Sequence, residues 1–101
     1  MVELYNLLQT LNLPLAYHHF SSPQIPPYIV YLNRGTENFS ADNRVYQKQT
    51  IFHVELYSAK KDLATEKRIE DLFDENDIIY DTNEVYIKEE ALYQVVYELT
   101  I

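Results

Sequence analysis

Thr50-Ile-Phe-His-Val-Glu-Leu-Tyr57, then Asp62-Leu-Ala-Thr-Glu-Lys-Arg-Ile-Glu-Asp-Leu-Phe-Asp-Glu-Asn76, then Leu92-Tyr-Gln-Val-Val-Tyr-Glu-Leu99: these three runs decide the fold. The first alternates. Phe52, Val54 and Leu56 share one face, while Ile51, His53, Glu55 and Tyr57 share the other, the period of a strand covered on one side. The second has helical spacing, with Ile69, Leu72 and Phe73 as its apolar stripe and Glu66, Lys67, Arg68, Glu70 and Asp71 as its expected wet side. Asp62 is placed to cap that helix and Asn76 to close it. Glu66 stands in the first turn, where the helix dipole favours an anion. In the third run Tyr93, Val95, Tyr97, Leu99 and Ile101 point one way and Leu92, Gln94, Val96 and Glu98 the other. Ile78-Ile-Tyr-Asp81 begins the strand that precedes it.

Working toward the N-terminus, Leu4, Leu7, Leu8 and Leu11 recur at i, i+3, i+4 and i+7. That spacing predicts a short helix over about 2–12, stopped before Pro14. Leu15-Ala-Tyr-His-His-Phe20 reads as a short strand. Ser21 to Pro27 reads as a proline-rich loop, and Tyr28-Ile-Val-Tyr-Leu32 as another strand. Arg34 to Arg44 holds Gly35, Asn38, Ser40, Asp42 and Asn43, which predict a loop. Val45 to Ser58 is long for a strand, and its first part, Tyr46-Gln-Lys-Gln49, is polar. This half is expected to protrude with Tyr28–Asn33 as a hairpin arm at about 34–48. The order is α-β-β-β-α-β-β, an α+β fold: one mainly antiparallel sheet with two helices packed on one face.

The chain has 101 residues, of which 47% are hydrophobic, which predicts one globular domain over 1–101. It has no cysteine, which removes disulfides, thiolate nucleophiles and Cys-ligated zinc. Sixteen acidic residues against eight basic give a net charge of −8, a poor balance for gripping phosphates. No run approaches the roughly 20 apolar residues of a membrane span, and Glu3 stands where a signal peptide would be basic. A soluble, non-exported protein is the expectation.

Candidate chemistry is thin. His18 and His19 would point to opposite faces of a strand, and His53 is the only other histidine, so ordinary strand residues outweigh a zinc site. The acidic pairs Glu70-Asp71, Asp74-Glu75 and Glu89-Glu90 lack the glycine-bearing spacing of a calcium loop and read as a solvated face. One glycine cannot build a phosphate loop, and no Gly-x-Ser-x-Gly is present. No catalytic, cofactor or metal residues are expected, and the chain is not expected to be an enzyme. Ten tyrosines without a tryptophan leave two readings open: cross-strand packing, or an interface, with Tyr31, Tyr46 and Tyr86 the foremost candidates.

Pro26-Pro-Tyr-Ile-Val-Tyr31, Asn38-Phe-Ser-Ala-Asp-Asn43, His53-Val-Glu-Leu-Tyr-Ser-Ala-Lys-Lys-Asp62, Ile69-Glu-Asp-Leu-Phe-Asp-Glu75 and Glu90-Ala-Leu-Tyr-Gln-Val-Val-Tyr97 carry a resemblance that covers nearly the whole chain. The chain resembles a family of small structural proteins of tailed bacteriophages and prophages, within the tail terminator (tail-to-head joining) group of long, non-contractile-tailed phages. The resemblance implies a homo-oligomeric ring, a hexamer, on the tail tube. It implies tail tube and head-completion or connector proteins as partners, with virion location after assembly in the host cytoplasm. It also implies passage of DNA without specific binding and no membrane. An acidic ring would repel DNA in its lumen, which is compatible.

Two alternatives remain open at the level of sequence: a head-completion or neck protein on the portal side, and a small acidic binding or inhibitor module aimed at a basic surface. A ring requires a heterologous contact between two different patches. The arm supplies one candidate patch, with Arg34, Phe39, Arg44, Tyr46, Gln47 and Lys48. Glu84, Tyr86 and Lys88 supply the other.

Overall fold

A computed structural model describes the backbone of residues 3–41 and 44–101 and the side chains of residues 3–36 and 49–101. In chain order the elements are α1 (Leu4–Gln9), β1 (Leu15–Tyr17), β2 (Tyr28–Ala41), β3 (Arg44–Ser58), α2 (Leu63–Glu75), β4 (Tyr80–Ile87) and β5 (Leu92–Thr100). The five strands form one sheet in the order β1-β2-β3-β5-β4. The expected α+β architecture and element order are therefore present. The sheet is mixed: β1 runs parallel to β2, and the other three pairings are antiparallel. The connection over 18–27 is long enough to bring the chain back in the same direction.

The apolar alternation builds the core. Ile29 of β2, Val54 and Leu56 of β3, and Val95, Tyr97 and Leu99 of β5 share the helix-covered face. Leu4, Leu8 and Leu11 enter from α1 and its exit, and Ile69 and Phe73 enter from α2. Each such side chain contributes roughly 1.5–3 kcal/mol on burial. The rings of Tyr80, Phe73 and Tyr97 meet edge to face or tilted, with centroids 5.5–5.7 Å apart. Arg68 ties the two helices together by donating through Nη2 to the Leu11 carbonyl at 2.6 Å.

Asp62 caps α2 twice, accepting from the Thr65 N–H at 3.1 Å and from the Thr65 hydroxyl at 2.7 Å. At the other end Asn76 donates its side-chain amide to the Leu72 carbonyl, and Asp77 adopts φ 56°. The Ile78 N–H returns to the Phe73 carbonyl at 2.9 Å, and Asp77 to Asp74 at 3.2 Å, the two bonds of a Schellman ending.

Three expectations are corrected. Arg34 to Ala41 is strand, not loop: it continues β2 and pairs with β3 from Asn33↔Phe52 outward to Ala41↔Arg44. Turn-forming residues are weak breakers where a partner strand takes up their backbone groups. Helix α1 is six residues long, shorter than the spacing suggests, because Asn12 turns left-handed at φ 57°. Glu66 and Glu70 are not on the wet side of α2. Glu66 is buried and Glu70 half-buried, because both lie on the flank beside Phe73 that faces β4.

Candidate functional site

The sheet ends abruptly while β2 and β3 continue. The last β3–β5 pairing is Ile51↔Thr100, followed by reciprocal bonds between Thr50 and Ile101. On the other side β1 stops at Tyr17, with one further bond from the His18 N–H to the Tyr31 carbonyl and one from the Asn33 N–H to the Tyr17 hydroxyl oxygen at 3.2 Å. From there the two strands run on as a ribbon with a neighbour on neither edge among the described residues. The expected arm pairing of Tyr46–Gln49 with Tyr28–Asn33 is corrected: Tyr28–Asn33 pair with Phe52–Tyr57 in the body, and the ribbon is made by residues 35–41 with residues 44–51.

The root of the ribbon is a bulge. Asn33 pairs with Phe52 and Gly35 with Ile51, so Arg34 is the extra residue. Gly35 sits at φ +135°, a conformation that favours glycine, and its N–H is taken by Asn33 Oδ1 at 2.8 Å. The Arg34 side chain is exposed and makes no ion pair among the described residues. The side chains of Phe39, Arg44, Tyr46, Gln47 and Lys48 lie outside the described residues; their backbones belong to the ribbon.

The second expected patch lies on the opposite edge strand. β4 pairs with β5 only, and Asp81 through Tyr86 are all exposed. Tyr86 pairs with Tyr93, which pairs in turn with Ser58, so Tyr86 and Lys88 sit at the end of the sheet remote from the arm. Tyr86 is about half exposed and packs on Tyr93 with ring centroids 4.9 Å apart. The arm thus extends from the interior strands β2 and β3, while Tyr86 and Lys88 lie at the opposite end, on and just beyond the edge strand β4.

Glu84 is not a free surface carboxylate. It is ion-paired with Lys61, which also lies 2.9 Å from Glu66 Oε1 and 2.8 Å from Glu66 Oε2. Hydrogen bonds first to Glu66 and then to Glu84 push the Lys61 ammonium above its ordinary range. Next to them Glu70 Oε2 accepts from the buried Tyr97 hydroxyl at 2.9 Å. Burial and this bond hold the phenol well above its ordinary value. The sequence reading missed Lys61, Glu66 and Glu70 as one group. Their signal was present in the helix period, which places 66 and 70 on one flank next to 73.

The open face of the sheet carries a second polar arrangement. Tyr28 stacks on Tyr57 at 5.0 Å, Tyr57 donates to Glu55 at 2.9 Å, and Gln94 donates to Tyr57 at 2.8 Å. His53 Nε2 lies 2.9 Å from Glu98 Oε2. His18 and His19 fall beyond β1, not within it. His18 turns left-handed at φ 70°, and the two rings meet at 5.6 Å on the rim of a cleft of about 380 Å³. Among the described residues no group of three His, Asp or Glu side chains could hold a metal ion, and no helix is long and apolar enough to cross a membrane. The chain matches no protein-family model and no curated protein.

Proposed function

We propose that this chain is a structural subunit of a phage head–tail interface, a tail terminator or tail-to-head joining protein that assembles head-to-tail into a ring. The observation that carries the assembly step is the β2–β3 ribbon, which outruns the sheet with no neighbour on either edge among the described residues. A two-stranded ribbon is marginal by itself in water, and open strand edges are templates for further pairing. A neighbouring subunit would supply what the ribbon lacks. The resemblance of the sequence to virion-assembly proteins supplies the biological setting.

Negative-stain imaging and light scattering of the purified full chain test the proposal. Rings, or oligomers that grow with concentration, are the expected result. A strict monomer at all concentrations, alone and with tail tube protein, would overturn it.

A further inference from the structure

We infer that the cleft between residues 18–24 and the turn over 88–91 receives the guanidinium of an arginine carried by a basic segment of a partner protein. The inference goes beyond the ring reading and does not depend on it. The cleft lies on the open face of the sheet, at the end away from the arm, and has a volume of about 380 Å³. That falls within the roughly 300–1,000 Å³ of ligand-binding clefts.

Its walls are aromatic. Tyr28 of β2 and Tyr57 of β3 are direct cross-strand partners, and their rings stack at 5.0 Å with an interplanar angle of 17°. Phe20 meets Tyr28 edge to face at 5.4 Å. Tyr57 is held from two sides, since its hydroxyl donates to Glu55 and accepts from Gln94. The wall is therefore fixed before any ligand arrives, which lowers the ordering cost of binding. Val30 lines the floor and is only 6% exposed, although it lies on the face away from the helices. Cross-strand packing explains the Tyr28–Tyr57 stack. It does not explain the open space beside that stack, which a single charged group faces.

That group is Glu90, the one Asp, Glu, Lys or Arg in the lining. It is exposed and has no ion pair among the described residues. Its field reaches the aromatic wall: burial first and the Glu90 charge second raise the Tyr28 hydroxyl above its ordinary 10.0. Such a lining disfavours an anion and attracts a cation, as does the net charge of −8 on the whole chain. Aromatic rings attract cations through their quadrupoles. A guanidinium suits this wall better than an ammonium, because it is planar, weakly hydrated and able to fork onto a carboxylate while stacked. His18, His19 and Ser21 at the rim are exposed, so a passing chain can deliver the side chain from solvent.

Nuclear magnetic resonance titration of the labelled full chain tests this with two capped tripeptides, acetyl-Gly-Arg-Gly-amide and its citrulline counterpart. Citrulline keeps the shape of arginine and lacks its charge. The arginine peptide should shift the amide signals of Phe20, Tyr28, Tyr57 and Glu90 along one saturable curve. The citrulline peptide should bind about tenfold more weakly, having lost both the cation–π contact and the charge pair. Glu90→Gln should weaken the arginine peptide about threefold and leave the citrulline peptide unchanged. Tyr28→Leu should weaken the arginine peptide by a similar factor. If that variant melts lower than the wild type, Phe20→Leu takes its place. Equal binding of the two peptides would overturn the inference. So would an unaltered arginine affinity in Glu90→Gln, or shifts spread over the acidic surface without saturation.

Discussion

Thr50 and Ile101 exchange two backbone hydrogen bonds, the Thr50 N–H to the Ile101 carbonyl at 2.7 Å and the Ile101 N–H to the Thr50 carbonyl at 2.9 Å. This pair is the last rung of the packed body. Everything in β3 before it belongs to the arm, and everything after it belongs to a sheet held by neighbours on both sides. The division separates the two-stranded arm from the five-stranded body.

Hydrogen exchange should register that division. Amides of the arm, in Arg34–Ala41 and Arg44–Gln49, should gain protection when the protein assembles. Amides at Val54, Leu56 and Val95, which lie on buried central strands, should be strongly protected in both states. Equal protection of the arm in free and assembled protein would count against an assembly role for it.

Gly35→Ala isolates the arm root. A Cβ at Gly35 would meet nothing within 4 Å among the described residues, and φ +135° is a backbone conformation that L side chains rarely adopt. Such strain costs about 1–3 kcal/mol. The expected outcome is faster amide exchange at the arm root and weaker assembly, with the melting temperature of the body little changed. A variant that melts much lower would show that the arm and the body form one cooperative unit.

Phe73→Ala should cost about 3–5 kcal/mol in denaturant unfolding, because the ring is fully buried against Tyr80 and Tyr97. Asp71→Ala, which removes only the exposed i,i+4 pair with Lys67, should stay within about 0.5 kcal/mol. Comparable losses from both would contradict the assignment of the buried face of α2.

The stripe behind that contrast was legible from Ile69, Leu72 and Phe73, as was the alternation of β3 and β5. So was the Asp62 cap. Other features were not. Gly35, Asn38 and Ser40 read as a loop because local turn preference cannot see the partner strand that absorbs it. Glu66 and Glu70 read as solvated acid because charged residues normally face water, and only the approach of β4 covers this flank. The parallel pairing of β1 depends on where the chain returns after Pro27, which no local pattern encodes.

High pH tests the buried phenols. Burial and then the Glu70 hydrogen bond raise Tyr97 above its ordinary 10.0, and burial and then Glu55 raise Tyr57 in the same way. Unfolded tyrosines lose their protons from about pH 10, while the folded state keeps them, so the folded state binds more protons there. Their contribution is fully present below pH 10 and is lost as pH rises through the higher folded values. Tyr97→Phe should cost about 1 kcal/mol at pH 7 from the lost hydrogen bond. It should also flatten the decline in stability between pH 10 and 11. A variant whose stability declines as steeply as the wild type would show that Tyr97 does not supply this pH dependence.

The most direct test removes the arm. Replacing residues 36–49 with a two-residue turn leaves the last body rung, Thr50 with Ile101, in place. Native mass spectrometry of this variant beside the full chain reads the central claim that the arm makes the ring. The account predicts closed oligomers for the full chain and a folded monomer for the truncated one, with nearly the same melting temperature. Rings formed equally well without the arm would contradict it.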